Sequence, residues 1–369
     1  MLLQEILQSV EARFPASLNS QFSLGIKGKF DRYLTLLNSF ELNTDTIKAT
    51  FDQQVKSAIP VITEISNEIL AAFDLYFINN HRACFSKLNE IISRYNQYFR
   101  FLITTDQNTT TAVAKPDLRF IRARKTSIPG KVFSSREMFH IPRSQRHLCQ
   151  AYRYSSPGIP GLYMGASSYI CWEELNRPNL ADIQLAEFKI KPSQSIRFLD
   201  LGYSPSLLGR LLRSNEGYAS TMFNNIILPR IIWWPLICAS SIKKNFGNGS
   251  FNEEYVVPQF LLQDPKKDYD YNGIRFISSK ICYDIRNSLI NTCFAFTAED
   301  LGTDEYSPFL QNVFDISEIV DCNLIGMIDD MSALGPLANR NGEVAITDSY
   351  SIRYDLTVFY RIDEEMSRF

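Results

Sequence analysis

The stretch that decides the fold is residues 153–174, which read RYSSPGIPGLYMGASSYICWEE. Its first half is rich in proline and glycine, the residue types that build tight turns. The next five residues, GLYMG at 161–165, form a short apolar run that predicts a β-strand. Residues 168–175 follow the pattern of a helix, which Pro178 ends. A strand and a helix in such close succession predict a mixed α+β fold.

Short β-type runs occur on both sides of this stretch. They lie at residues 118–124, 183–190, 196–201 and 273–278. Helical stretches separate them, one of them around residues 258–262. Residues 118–369 therefore predict an α+β catalytic domain with a C-terminal extension.

The first 105 residues predict a helical N-terminal domain instead. One apolar stripe recurs at spacings of three and four residues, as on one face of a helix, and consists of Ile62, Ile65, Ile69, Phe73 and Tyr76. A second stripe consists of Leu88, Ile91, Tyr95, Tyr98 and Leu102. Core packing explains both stripes, and a partner-binding groove is the alternative. Residues 106–117 begin with the polar, aperiodic stretch DQNTTTAVAK and predict a linker.

The composition argues against several functional classes. The 369 residues carry a formal net charge of -2, so no overall field favours nucleic acid or an anionic membrane. The seven cysteines form no C-x-x-C pair, which argues against a disulfide framework or zinc site and favours a reducing cytoplasm. With three histidines, no catalytic metal is expected. The N-terminus lacks the pattern of a signal peptide, and no apolar run has the ~18 residues of a membrane span.

The familiar catalytic motifs are missing from the sequence. It contains no G-x-x-x-x-G-K-[ST], G-x-G-x-x-G, H-E-x-x-H or G-x-S-x-G. Phosphate-loop, dinucleotide-fold, zincin and esterase interpretations therefore lose their usual support. Cys149 lies near His147, and Asp329 precedes Asp330, but ordinary structural roles explain both pairs.

Three arginines are candidates for binding an anionic ligand. Arg122 and Arg124 stand at alternate positions of a predicted strand and would therefore point to the same side. Two guanidinium groups on one face suit a diphosphate, because each can bind oxygens in pairs. Arg153 enters the rigid turn, where it would be held against a ligand. Ordinary solvated arginines are the alternative for all three.

Five further residues complete the set of candidates. Tyr163 lies on the GLYMG strand and can offer its ring to a flat heterocycle. Glu173 and Glu174 differ by about 100° in direction on a helix, so only one of them can face a cleft. Ser278 ends a predicted strand, where a hydroxyl can donate to a ligand, and Ser279 is adjacent. On its own, each residue is better explained by core packing, a turn or a solvated face.

Taken in order, these residues resemble the motif of the RES domain family, named for its arginine, glutamate and serine. That motif runs from an arginine in a first strand, through R-x-x-x-P-G-x-P-x-L-Y, to a glutamate and a later G-I-x-x-x-S. The matching positions here are Arg122, residues 153–163, Glu174 eleven positions after the tyrosine, and residues 273–278. The resemblance covers residues 118–296.

The resemblance implies a fold and an activity. RES proteins are similar in fold to ADP-ribosyltransferases, so a split β-sheet is expected in the catalytic domain. Studied members degrade NAD+, which implies that this chain uses NAD+ as its substrate without a further cofactor. Cleavage of the nicotinamide–ribose bond by water or phosphate is the expected reaction. Transfer of ADP-ribose to a macromolecule and nucleotide binding without catalysis are the alternatives.

The resemblance also implies a role for each matching residue. Arg122 and Arg153 would hold the phosphates or ribose of NAD+. Tyr163 would stack on the nicotinamide or its ribose. Glu174 would stabilise the ribose, and Ser278 would complete the pocket through a hydrogen bond.

Several RES proteins are toxins that pair with a helix-turn-helix antitoxin. The expected macromolecular partners are therefore an antitoxin, a sensor protein or a second copy of this chain. Those toxins are short, whereas 117 residues precede the matching segment here. A growth-arresting toxin with a built-in control region would suit defence against phage.

Overall fold

The computed structural model describes most of the chain. The described residues are 1–18, 21–99, 101–105, 118–126, 128, 130–243, 251–263, 269–281, 290–298, 301–322, 343–347 and 350–368. The predicted linker at 106–117 and the Asp329–Asp330 pair lie outside them.

Nine of the described strands form one mixed sheet. In chain order they are β1 (Leu102–Thr104), β2 (Ile121–Lys125), β3 (Gly161–Gly165), β4 (Ile183–Ile190), β5 (Arg197–Leu201), β6 (Gly273–Ile277), β7 (Thr292–Thr297), β8 (Phe314–Ile316) and β9 (Val320–Asp321). The order across the sheet is β1-β5-β6-β7-β3-β2-β4-β8, and β9 also pairs with β4. Two further strands, β10 (Glu343–Thr347) and β11 (Tyr350–Arg353), form a hairpin.

Helices surround this sheet. The α-helices are α1 (Leu3–Gln8), α2 (Phe22–Ser39), α3 (Thr46–Phe77), α4 (His81–Arg94), α5 (Ser135–Met138), α6 (Ser168–Glu174), α7 (Pro205–Arg213), α8 (Ser220–Met222), α9 (Leu228–Ile232), α10 (Trp234–Ser240), α11 (Val256–Gln263), α12 (Pro308–Val313) and α13 (Val358–Arg368). Short 3-10 helices lie at Asn96–Tyr98, Arg143–Leu148, Leu180–Asp182, Glu216–Tyr218, Glu253–Tyr255 and Tyr354–Leu356, and a π-helix lies at Phe223–Ile227. The prediction of an α+β fold is confirmed.

The sheet consists of two parts that meet at one point. Strand β2 pairs with β3 through Ile121 and Gly165 alone among the described residues. In contrast, β2 pairs with β4 along five residues, and β3 pairs with β7 along five. The ladder between β2 and β3 therefore ends where Arg122 begins, so this side chain lies at the edge of a gap in the sheet.

The first apolar stripe predicted from the sequence lies on α3. Asp45 caps this helix by accepting hydrogen bonds from the backbone amides of Ile47 and Lys48. The buried side chains of the stripe are Ile62, Ile65, Ile69 and Phe73. The spacing of the stripe thus identifies the face of α3 that packs into the core.

The prediction of helical structure through residue 105 is wrong at its end. Helix α4 ends at Arg94, and residues 102–104 form β1, which pairs antiparallel with β5. Phe99 and Phe101 are both buried at a spacing of two, as expected of chain entering a strand. The second stripe therefore crosses a helix, a 3-10 turn and a strand, because pairing with the sheet prevails over the helical periodicity.

The N-terminal helices share a hydrophobic core with the sheet and with the helices between β5 and β6. In this core the ring of Tyr33 from α2 stacks on Trp234 of α10, with 4.0 Å between the ring centroids. The indole nitrogen of Trp234 also donates to the carbonyl oxygen of Ala12 at 3.0 Å. The boundary proposed at residue 105 therefore falls within one continuous core.

The most apolar part of the chain belongs to that core. Among the described helices, no single one has both the length and the apolar character to cross a bilayer. Residues 220–232 and 234–240 together pass such a test, but the two segments are bent by 62°. Trp233 and Trp234 at this bend are both almost fully buried inside the protein.

The C-terminal helix α13 anchors α6. The ring of Phe359 packs against Tyr169 and Trp172, with centroid distances of 5.5 and 5.2 Å. The buried carboxylate of Asp363 accepts a hydrogen bond at 3.0 Å from the backbone amide of Ser168, the first residue of α6. A carboxylate at the N-terminus of a helix interacts favourably with the positive end of the helix dipole. The C-terminal extension therefore supports helix α6, which belongs to the segment 153–174.

Replacing Asp363 with alanine is expected to lower the free energy of unfolding by about 3 kcal/mol. The substitution leaves the Ser168 amide and the Tyr354 hydroxyl without their acceptor and removes the carboxylate 3.9 Å from Arg119. Urea denaturation gives the measurement, and Arg361→Gln on the exposed side of α13 is the control. Equal stability of the two variants would contradict the anchoring role.

Candidate active site

Helix α6 packs closely on strand β3 because residue 165 is glycine. A β-carbon built at Gly165 would lie 2.4 Å from Ile170 Cγ2 and 2.8 Å from Cys171 Sγ. The turn before the helix is fixed by Ser167, whose hydroxyl donates to the carbonyl oxygen of Ile290 and accepts from the Ile170 amide. The Cys171 thiol also donates to the carbonyl oxygen of Ile121. These contacts hold α6 over the junction of the two parts of the sheet.

The two glutamates at the end of α6 have different environments. Glu173 is buried and accepts two hydrogen bonds of 2.9 Å from the guanidinium group of Arg177. Glu174 Oε1 instead accepts a hydrogen bond of 2.5 Å from Ser278 Oγ. The structure therefore brings the two predicted site residues Glu174 and Ser278 together, while Glu173 forms an ion pair with Arg177 in the turn that follows α6.

Lys280 forms hydrogen bonds with both Ser278 and Glu174. Its backbone amide donates to Ser278 Oγ at 3.1 Å, so the serine hydroxyl accepts one bond and donates another to Glu174. Its ammonium group donates to the carbonyl oxygen of Glu174 at 2.8 Å and to Asn176 Oδ1 at 2.6 Å. Sequence reasoning missed Lys280, although its position two residues after Ser278 was a visible signal.

Tyr163 stands half-buried on β3 with its hydroxyl fixed. The hydroxyl lies 2.9 Å from Ser155 Oγ, and the Tyr152 ring centroid lies 5.5 Å from its own. A β-carbon at Gly161 would lie 2.8 Å from Tyr163 Cε2, so the glycine leaves room for the ring. Burial raises the pKa of the Tyr163 phenol, which keeps it neutral at physiological pH.

Arg122 is half-buried and has no acidic partner among the described residues. Its Nη1 atom donates to the carbonyl oxygen of Tyr163 at 2.9 Å, and its buried Nε atom has no hydrogen-bond partner. Desolvation, together with repulsion from Arg124, lowers the pKa of Arg122 to about 10. Within the described residues no carboxylate forms an ion pair with it. Such a group is costly in a protein interior unless a ligand compensates it.

Arg122 and Glu174 have a common neighbour in Cys171. Burial raises the pKa of this thiol most strongly, and the Glu174 carboxylate raises it further while Arg122 lowers it. Cys293 on β7 lies on the same side, with its Sγ atom 3.8 Å from Glu174 Oε1. The charges of Arg122 and Glu174 therefore both act on the thiol of Cys171 in α6. No role was predicted for Cys171 or Cys293 from the sequence.

The other two predicted arginines bind protein groups. Arg124 donates to the carbonyl oxygen of Glu137, and its guanidinium carbon lies 4.9 Å from the ring centroid of Phe133. Arg153 donates to two backbone carbonyl oxygens and to Ser279 Oγ. Of the five matching positions, the structure thus joins Glu174 and Ser278 directly and brings Arg122 onto the backbone of Tyr163. Arg153 does not contact Ser278 through these bonds but binds Ser279, the next residue in the chain.

The described residues contain no group of three or more histidine, cysteine, aspartate or glutamate side chains that could hold a metal ion.

Comparisons with known proteins give one informative similarity. The chain is 34% identical over 213 residues to a Bacillus subtilis (strain 168) protein named "Putative toxin YopC". The match covers 55% of this chain and 46% of that protein, so the chain spans less than half the length of this relative. No protein-family model matches the chain. No solved structure matches it either.

Replacing Arg122 with glutamine is expected to raise the thermal midpoint by about 1–3 °C. The change removes a half-buried charge that has no acidic partner within the described residues, while the amide can still donate to the Tyr163 carbonyl. Differential scanning calorimetry gives the measurement, and Lys125→Gln at the exposed end of the same strand is the control. A fall in the midpoint larger than that of the control would show that Arg122 is a structural residue.

Proposed function

We propose that this protein is an NAD+-consuming toxin that cleaves the nicotinamide–ribose bond. The observation that carries the proposal is the hydrogen bond from Ser278 to Glu174, together with Arg122, which binds the Tyr163 carbonyl oxygen and has no acidic partner within the described residues. These residues come from separate parts of the chain and from both parts of the sheet. Their order along the sequence is the one that resembles the RES domain family.

The carboxylate suits the electrostatic demand of this reaction. When the bond from nicotinamide to ribose breaks, positive charge develops at the anomeric carbon, as it does in glycoside hydrolysis. Glu174 would stabilise that charge, with Ser278 holding one carboxylate oxygen so that the other faces the sugar. Nicotinamide leaves with the electron pair of the broken bond. Water then gives ADP-ribose and a proton, whereas phosphate gives a phosphorylated ADP-ribose.

The remaining residues suit the rest of the substrate. The diphosphate of NAD+ would supply the negative charge that Arg122 lacks within the described part of the chain. The Tyr163 ring, held by its hydroxyl through Ser155, would pack against the nicotinamide or its ribose. Its raised pKa keeps a second negative charge away from the site. In this proposal NAD+ is a substrate, and the protein needs no other cofactor.

The biological role is proposed from the similarity to YopC. That protein is named as a toxin candidate, and the match covers 55% of the present chain. Depletion of NAD+ would arrest growth, which is an activity expected of a toxin. On this proposal the enzyme acts in the cytoplasm, where an antitoxin inhibits it or a sensor protein controls it. Defence against phage is the setting that such an enzyme would suit.

Replacing Glu174 with glutamine is expected to lower the rate of nicotinamide release from NAD+ by about 10²–10³-fold. The amide keeps the shape of the side chain but removes its charge. Purified protein is incubated with NAD+ in the presence and in the absence of phosphate, and nicotinamide is measured by chromatography.

Glu173→Gln is the matched control, because Glu173 is the neighbouring acid but pairs with Arg177. It should retain turnover, and its loss of stability is limited because Arg177 is 41% exposed and its guanidinium group can be solvated by water. Loss of activity in the Glu173 variant alone would move the catalytic role to that residue. Incorporation of label from NAD+ into a macromolecule would favour ADP-ribosyl transfer, and tight NAD+ binding without turnover would contradict the enzymatic proposal.

A further inference from the structure

Arg153 lies between the helical part of the protein and the loop that carries Ser278. Its side chain is only 9% exposed. Its Nη1 atom donates to the carbonyl oxygen of Ser240 at 3.1 Å, and its Nη2 atom donates to that of Ile242 at 2.8 Å. The same Nη2 atom donates to Ser279 Oγ at 2.9 Å. One planar group therefore joins the end of α10 to the loop after β6.

The end of α10 is itself held by the N-terminal segment of the chain. The amide of Ala16 donates to the carbonyl oxygen of Ser241 at 3.2 Å, and the amide of Lys243 donates back to Ala16 at 2.7 Å. The acceptors of Arg153 thus sit on a backbone that is fixed on its other side. A guanidinium group bound to such a backbone has little freedom to move.

The loop on the opposite side of Arg153 carries the candidate catalytic hydroxyl. Ser278 donates to Glu174, and the backbone amide of Lys280 donates to Ser278. Ser279 stands between these two residues and points its hydroxyl oxygen at Arg153. All three consecutive residues are therefore tied to a partner, and the contact with Arg153 links the loop to the end of α10.

We propose that Arg153 is a positioning residue that fixes the 278–280 loop, and that Arg122 is the arginine that binds the diphosphate. This inference rests on the proposed function for its catalytic consequence. Three of the five N–H donors of Arg153 already bind protein oxygens, and these three bonds fix the orientation of its guanidinium group. Arg122, in contrast, has a buried Nε atom without an acceptor. The two arginines of the motif therefore have different tasks.

The kinetic test separates binding from positioning. Arg153→Gln and Ser279→Ala are expected to lower kcat for NAD+ cleavage about 10-fold, since the loop that orients Ser278 becomes less ordered. The Kd of ADP-ribose, measured by calorimetry, should change less than twofold in both variants. Arg122→Gln should raise that Kd by more than 10-fold. Arg136→Gln, at an exposed position, should change neither quantity.

The proposal would be overturned if Arg153→Gln raised the Kd of ADP-ribose and left kcat unchanged, and if Ser279→Ala changed neither quantity. If Arg153→Gln fails to fold, Ser279→Ala alone decides, because it removes the same contact from the solvent-facing side. Arg153→Lys should restore part of kcat, since an ammonium group can still donate to Ser279.

Hydrogen exchange distinguishes a failure of this inference from a failure of the proposed function. The amides of Ser278 and Lys280 donate to Asn291 O and Ser278 Oγ, so they report the order of the loop directly. Both amides should exchange at least 10-fold faster in Arg153→Gln and Ser279→Ala than in the wild type, whether or not NAD+ is cleaved. Unchanged exchange would exclude the positioning role even in an active enzyme.

Discussion

The close contact between helix α6 and strand β3 is the constraint on which the site depends. Gly165 permits it, because any β-carbon there would overlap Ile170 and Cys171. The contact lies at the one described residue pair that joins the two parts of the sheet, Ile121 and Gly165. A seven-residue helix has little stability of its own, so its direction comes from tertiary contacts on both of its ends. Asp363 supplies one of them and Lys280 the other.

The arginines in the interior of the protein differ in the groups that accept their hydrogen bonds. Carboxylates accompany three of them: Arg119 with Glu187, and Arg230 and Arg275 with Asp200. Backbone carbonyls and a hydroxyl accompany Arg153, where the guanidinium acts as a brace. The half-buried Arg122 donates to one backbone carbonyl oxygen, that of Tyr163, and has no carboxylate partner within the described residues. Because an uncompensated charge opposes folding, its retention at the gap between β2 and β3 is understandable if an anionic ligand completes it.

The sequence was sufficient for the local elements of the site and insufficient for its connections. The strands at 161–165 and 183–190 have the predicted bounds, since each is an apolar run enclosed by turn-forming residues. The choice of Glu174 over Glu173 depended on the spacing of a motif, and the geometry is consistent with it. Strand β1 was missed because three residues carry too little periodicity to compete with a helical stripe. The contact of Asp363 with Ser168 spans 195 positions, and no local pattern encodes it.

Arg153 illustrates why a motif does not transfer a role together with a residue. Within the segment 153–163 nothing distinguishes an arginine that binds a ligand from one that braces a loop. The difference comes from Ser240 and Ile242, which lie 87 and 89 positions away, at the end of α10 and just after it. The helices between β5 and β6 in turn share their core with the N-terminal helices. These helices are therefore a structural part of the proposed site, and a perturbation of that core has a direct route to Ser278 through Arg153.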